Sequence, residues 1–414
     1  MKFAKFPWMA VALFCAGCST SKPPPAPPGA SFAEFDRRAQ AGETLSVVFY
    51  GGALTWGANS SDPSKTSFRA LLENYLRERY PRTRFRFLNA AIGGGSKLGM
   101  FRLKRDVLAH HPDLVFLDFT LDDNPDGVDR ETLTSYERLL IELIQADIPV
   151  MQVFFGFKRD FGTNWKPLLP VRLRDHLEMA RLYRTGVGNA AYPTQSFLAD
   201  GKHDVDEIWP FDHTYPNDIG HQIIFESLRD GLEEAIRQKR ICSTPLFPVF
   251  ADHYTMTTQI YLSELPLPEG WDRAESFSKP PAGVANPWLR EVVVCDAGDQ
   301  NEVQPLQLAF TGTSVGIIGE ADESGLGFRV VLDGKILPYR EKKTAAPAVK
   351  IWPTTTETYG GGKLFFWREL ADHLPSGAHT LEIHPVFSDE GTAGQLRLES
   401  ICVAGEPPIG TRLR

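Results

Sequence analysis

The sequence predicts an α/β chain in which a parallel sheet sandwiched by helices is followed by a C-terminal antiparallel β-sandwich. Three observations carry this. From Thr44 to about Gln238, short apolar runs alternate with segments of helical period, the pattern of parallel strands joined by crossover helices. After Lys239 the helical period disappears, and short alternating runs bounded by turn residues replace it. At 414 residues the chain is long enough for two domains, each with a core of its own.

The first strand is Leu45 to Tyr50, continuously apolar as expected for a strand covered on both faces, and closed by Gly51-Gly52. A helix follows, with Phe68, Leu71, Leu72, Tyr75 and Leu76 on one face, Arg69, Glu73 and Arg77 on the other, and Pro81 beyond its end. Phe85 to Asn89 is the second strand, Gly93-Gly94-Gly95 a turn, and Met100 to Ala109 a helix leading through Pro112 to a third strand, Leu114 to Phe119. A helix from Leu133 to Ala146, a fourth strand from Ile148 to Phe155, a helix from Val171 to Tyr183 and a closing helix from Ile219 to Ile236 complete a sheet of about five strands. Prolines crowd residues 245 to 287. The sandwich strands then read as Glu291 to Val294, Leu306 to Phe310, Val315 to Ile318, Phe328 to Leu332, Leu381 to Pro385 and Leu396 to Cys402, with Asp333-Gly334 as a hairpin turn.

The start of the chain is built like an export signal. Lys2 and Lys5 precede an apolar stretch from Phe6 to Phe14 that is too short to span a bilayer. Cys15-Ala16-Gly17-Cys18-Ser19 resembles a bacterial lipobox, although Cys15 stands where leucine is usual; the resemblance implies a lipoprotein signal peptide over residues 1–18 and lipid attachment at Cys18. The plainer reading is an ordinary cleaved signal with an incidental cysteine. Residues 19–43, with Pro23-Pro24-Pro25-Ala26-Pro27-Pro28, read as a stiff tether. The expected location is therefore outside the cytoplasm, lipid-anchored in the periplasm or at the outer membrane of a bacterium.

The net charge of -8 and the alternation of Arg82, Arg84 and Arg86 with Thr83 and Phe85 argue against a nucleic-acid partner, which needs a basic stripe. Apart from Cys15 and Cys18, the remaining cysteines are Cys242, Cys295 and Cys402. An oxidising compartment would permit one disulfide among them. Without a CxxC pair, no thiolate zinc site is expected, and nothing implies a cofactor. The oligomeric state is not legible.

In an open parallel sheet, ligands meet the loops at the carboxyl ends of the strands. Those loops read Gly51-Gly52-Ala53-Leu54-Thr55-Trp56-Gly57, Asn89-Ala90-Ala91-Ile92-Gly93-Gly94-Gly95-Ser96 and Leu121-Asp122-Asp123-Asn124, and Asp212-His213-Thr214-Tyr215-Pro216-Asn217 precedes the last helix. This ordered set resembles the SGNH (GDSL-like) hydrolases, a family of esterases and acylhydrolases. They carry a Gly-Asp-Ser or Gly-Gly-Ser block, an Asn-led glycine block, an Asn-Asp block and Asp-x-x-His-Pro-Asn in the same places. Asn89 to Ile92, Arg102 to Val107 and His111 to Leu117 look like a bacterial carbohydrate-active subgroup. The resemblance implies an SGNH-type (flavodoxin-like) domain over residues 44–240, with residues 250–408 as an accessory sandwich, and an acylated carbohydrate or other glycan as partner.

Carried over residue by residue, the resemblance fails at the reactive atoms. Ala53 replaces the nucleophilic serine, Tyr215 the catalytic histidine and Asp122 the oxyanion-hole asparagine; Gly94, a backbone oxyanion donor, and Asp212, which would orient the histidine, remain. A methyl group forms no acyl-enzyme. Tyrosine, with a pKa near 10, is a poor base at neutral pH. An ionised Asp122 about 4 Å from a developing oxyanion would cost about 4 kcal/mol at an effective dielectric near 20, roughly a thousandfold in rate. A protonated Asp122, crowded by Asp123 and Asp212, would instead donate a hydrogen bond.

Three functions are compatible with these residues: a non-hydrolytic glycan-recognising protein, a carboxylate-based glycosidase drawing on Asp122, Asp123 and Asp212, and a carbohydrate esterase in which His213 activates water. The first is preferred, because nothing replaces the nucleophile at position 53. Whether the chain is an enzyme stays open at this stage. Plainer roles stand beside each residue. Trp56 serves as core packing or a sugar-stacking ring, His213 and His221 as local hydrogen-bond partners, Asp123 as a loop cap, and the glycines at 93 to 95 as a turn. A divalent-metal site at Asp122, Asp123, Asp212 and His213 has no spacing that demands it, and none is expected.

Overall fold

The computed structural model describes residues 29–414 apart from 124–132, 162–170, 200, 251–253, 279–286, 297–302, 340–348, 356–363, 388–393, 406–411 and 414. The signal segment, Cys18 and most of the proline tether thus lie outside the described residues, as does Asn124.

A parallel sheet forms from β1 (Thr44–Gly51), β2 (Arg84–Asn89), β3 (Leu114–Asp118), β4 (Val150–Phe154) and β5 (Gly186–Asn189), in the spatial order β2-β1-β3-β4-β5. This is the flavodoxin-like order. In β1 every residue after Thr44 is buried, because helices cover both faces of the sheet. Phe49 stacks on Phe116 of β3 at 5.0 Å, locking the central pair.

The flanking helices are α1 (Phe32–Gln40), α2 (Ala53–Trp56), α3 (Phe68–Arg79), α4 (Ser96–Asp106), α5 (Leu133–Gln145), α6 (Val171–Leu182), α7 (Ala191–Ala199) and α8 (Asp218–Arg237). The second half is an antiparallel sandwich of two sheets. One contains β6 (Met256–Tyr261), β7 (Asp272–Ala274), β8 (Val292–Asp296), β10 (Ser314–Ala321), β13 (Leu364–Ala371) and β15 (Gln395–Gly405). The other contains β9 (Leu306–Thr311), β11 (Gly327–Leu332), β12 (Lys335–Leu337), β14 (Ala378–Val386) and β16 (Arg412–Leu413). Their inner faces meet through Val293, Ile317 and Leu398 on one side and Phe310, Val330 and Ile383 on the other. Asp333 and Gly334, at φ 49 and 75, form the tight turn between β11 and β12 that the Asp-Gly pair foretells.

The structure corrects the tether, whose extent through residue 43 is too long. Ser31 caps α1 by accepting from the Glu34 N–H, and α1 buries Phe32, Phe35 and Ala39 in the main core. The proline run draws the eye past an amphipathic segment just behind it. Phe32→Ala should therefore lower the unfolding free energy by roughly 3–5 kcal/mol in a denaturant titration, whereas a tether residue would leave it unchanged.

The disulfide expectation is also corrected, since Cys242, Cys295 and Cys402 are buried and no disulfide joins them. Cys295 pairs with Leu396 in the sheet, and Cys402 lies further along the same strand by about 20 Å, far beyond disulfide reach. Cys242 follows α8 in the first half, where its N–H donates to the Ala30 carbonyl at 2.9 Å.

The two halves share a packed boundary centred on α4. Phe101 meets Trp367 at 5.4 Å, and Lys97 pairs with Glu369 and, at 3.0 Å, with Asp372. The Trp288 indole N–H donates to the Ala91 carbonyl at 3.0 Å. The sandwich thus braces the glycine block that follows β2.

Candidate functional site

Strand order reverses between β1 and β3, which in an open parallel sheet is where the loops at the carboxyl ends of the strands part to form a crevice. β1 turns at Gly52 straight into α2, so Ala53 occupies the first turn of a short helix on top of the sheet. The only hydroxyl in α2 offers no replacement for a serine. Thr55 is buried, and its Oγ1 donates to Oδ2 of Asp118 at 2.7 Å. A left-handed Gly57 ends α2, at φ 103.

Asp122 and Asp123 follow β3 in a turn, both N–H groups donating to the Phe119 carbonyl. The Asp122 carboxyl lies against Gly52; a Cβ there would sit 2.1 Å from Asp122 Oδ2 and would displace the carboxyl. Asp123 Oδ1 accepts from the Ser96 N–H at 2.9 Å, while its buried Oδ2 has no partner among the described residues. The glycine block comes from the β2 side. Gly94 adopts φ +131, a conformation that side chains rarely take, and Gly95 packs on Asp123.

The fourth loop arrives from the start of α8. Asp212 Oδ1 accepts from the N–H groups of Thr214 and Tyr215 at 2.7 and 2.8 Å. Its Oδ2 accepts from the Asn59 side chain at 2.7 Å, and the same Asn59 amide donates to the Tyr215 carbonyl. The structure therefore brings Ala53, Gly94, Asp122, Asp123, Asp212 and Tyr215 to one end of the sheet. His213 is on the same loop but exposed. His221 stays away from the crevice: it is buried, its Nδ1 accepts from the Phe68 N–H and its Nε2 lies 3.0 Å from the Ala58 carbonyl. Burial lowers its pKa to about 4, so it is a neutral brace between α8 and the loop after α2. Trp56 is partly buried.

The electrostatics are set by carboxyls packed together. Burial pushes Asp118 up to about 7 against the pull of the Thr55 hydrogen bond, and pushes Asp123 to about 7 in the same way. Asp122 is raised well above the ordinary carboxylate range by burial, then by the charges of Asp118 and Asp123. Both effects favour the protonated form of Asp122, in which the carboxyl can donate a hydrogen bond. The Tyr215 phenol is raised by burial and by Asp122, Asp118 and Asp212, so it remains protonated and is no base. Among the described residues, no group of three or more His, Cys, Asp or Glu side chains has the arrangement of a metal site.

Asp118, Thr55 and Asn59 did not emerge from the sequence. Asp118 carries a readable signal, since a carboxylate closes the otherwise apolar run of β3. Nothing marks Asn59, whose left-handed backbone (φ 62) aims its amide at Asp212.

No family model matches the chain, and no curated protein is similar to it at the level searched. Solved structures are. A two-domain esterase (CEX) active on acetylated mannans, co-crystallised with mannopentaose, is 21% identical with a TM-score of 0.67, over 90% of this chain and 94% of that one. A second structure of a two-domain esterase (CEX) active on acetylated mannans gives 20% and 0.64 over the same shares. Axe2, an acetylxylan esterase from Geobacillus stearothermophilus, is 16% identical with a TM-score of 0.40, covering 45% of this chain and 94% of its own. At these identities the likeness to the two-domain esterases shows the fold alone, a parallel sheet flanked by helices followed by a β-sandwich.

Proposed function

We propose that this chain is a carbohydrate-active protein of the SGNH hydrolase type that takes an acylated glycan into the crevice between β1 and β3 and performs no serine-type ester hydrolysis there. The observation that carries the reading is the Ala53 methyl at the first turn of α2, with the neighbouring Thr55 hydroxyl committed to Asp118. The glycan part draws support from the two-domain likeness to an esterase active on acetylated mannans, which extends across sheet and sandwich alike. Binding of acetylated and deacetylated manno-oligosaccharides, measured by calorimetry, is expected to favour the acetylated ligand. A protein that binds neither form would contradict the proposal.

A second reading, hydrolysis by relocated residues, has an observation of its own. Asp118 and Asp123 titrate about 7, beside a protonated Asp122, which provides both an acid and a base near neutral pH. Such a pair would serve a carbohydrate esterase or acylhydrolase that activates water, or a carboxylate-based glycosidase. The fold likeness to esterases favours hydrolysis; the side chains at position 53 and at Tyr215 oppose the serine route to it. We also infer export and lipid anchoring through Cys18. Cys18→Ser should move the protein from the membrane to the soluble fraction of its host, and unchanged fractionation would refute the anchor.

A further inference from the structure

We propose that Phe211 is the stacking platform of a sugar subsite at the mouth of this crevice, selecting neutral pyranose rings; this rests on the glycan reading above. Phe211 directly precedes Asp212, yet 74% of its surface is exposed. The loop around it is fixed. Trp209, 1% exposed, is stacked between Phe155 and Phe161 at 5.4 Å from each, so the aromatic slot beneath the loop is already filled. Asp212 is held by three hydrogen bonds, the Lys158 N–H donates to the His213 carbonyl, and the Asn217 amide donates to the Glu207 carbonyl. The ring therefore has no place in that slot and stays exposed among the described residues. Tyr192, 51% exposed at the start of α7 just beyond β5, adds a second ring at the same end of the sheet.

The flat face of Phe211 matches the apolar C–H face of a pyranose, and the exposed His213 beside it supplies ring nitrogens for hydroxyl groups. Charge decides the sugar class. Residues 202–218 carry five carboxylates, Asp204, Asp206, Glu207, Asp212 and Asp218, against the single cation Lys202, and Lys158 from the neighbouring segment pairs with Asp206, so the surface keeps a net negative charge that disfavours a uronic acid or phosphorylated sugar.

Calorimetric titration of the full chain with mannopentaose, xylopentaose and a pentameric galacturonate tests the assignment. Binding of a neutral pentaose is expected to weaken about tenfold or more in Phe211→Ala and Phe211→Leu and to persist in Phe211→Trp, because an aromatic face is what is lost. The unfolding temperature should not move, since the ring is exposed. Equal affinity of wild type and Phe211→Ala, or tighter binding of the galacturonate, would overturn the subsite and leave the glycan reading standing. A wild type that binds none of the three would overturn the subsite, and one that also fails to bind acetylated manno-oligosaccharides would overturn the glycan reading with it.

Discussion

Ester turnover on acetylated oligosaccharides should stay near background in Ala53→Ser and rise by at least about a thousandfold when Tyr215→His is added. Loss of either the nucleophile or the base of a serine-type hydrolase costs about a millionfold in turnover, and the two act as one unit, so a serine without a base recovers little. Tyr215 cannot serve as that base, because burial and three nearby aspartates keep its phenol protonated. Adding Asp122→Asn to the pair should then bring only a small further gain. Burial, Asp118 and Asp123 already favour a protonated Asp122, which can donate to an oxyanion as an asparagine would. A triple variant that exceeds the double by about a thousandfold would instead mean that Asp122 is ionised. The comparison needs one substrate, four proteins and initial rates of acetate release.

The crevice should also make the fold sensitive to pH in an unusual direction. Asp118 has a folded pKa raised from 3.8 to about 7, mainly by burial, so the folded chain holds its proton more tightly than the unfolded one. Its contribution is therefore most favourable below about pH 4 and is lost as the pH rises through about 7. The shift corresponds to roughly 4 kcal/mol. Asp118→Asn keeps an acceptor for the Thr55 hydroxyl and removes the titration. Relative to wild type, the variant should become progressively more stable between pH 4 and pH 7, by an amount on the order of 4 kcal/mol, and then level off. Taking the difference between the two proteins cancels the carboxylates remote from Asp118, while the coupled Asp122 and Asp123 broaden the transition. Chemical denaturation at several pH values reads this directly, and a difference that does not change with pH would refute the buried, titrating Asp118.

Most of the sheet was legible because its strands obey one rule each. β1 and β3 are mainly apolar, interrupted by Ser46 and closed by Asp118 respectively, and both are buried on two faces. β5 escaped notice for a physical reason. Its sequence Gly-Val-Gly-Asn has little strand propensity, and the glycines are required by packing: a Cβ at Gly188 would lie 2.4 Å from Leu228 of α8. Tertiary contact overrides local preference there. α1 was lost behind the prolines for a related reason, since its amphipathic pattern only becomes meaningful once Phe32 and Phe35 have a core to enter.

The crevice was legible at the loop blocks and not between them. Ala53, Gly94, Asp122 and Tyr215 could be placed by their order along the chain, but the state of Asp122 could not. It depends on burial and on Asp118, four residues earlier at the end of β3, and both carboxyls are buried against β1 and the glycine after it, where Gly51 pairs with Asp118 and Gly52 packs on Asp122. Likewise Asn59 joins Asp212 across more than half of the first domain's sequence, a contact that no local pattern encodes.

Whether the wild-type crevice carries out ester hydrolysis is measured most directly by acetate release from acetylated manno-oligosaccharides, followed alongside ligand binding. The expected result is saturable binding with acetate release no faster than in buffer, unchanged by Asp118→Asn, Asp122→Asn or Asp212→Asn. Turnover by the wild type that any one of these substitutions, or His213→Ala, abolishes would contradict the account and establish a relocated catalytic group in its place.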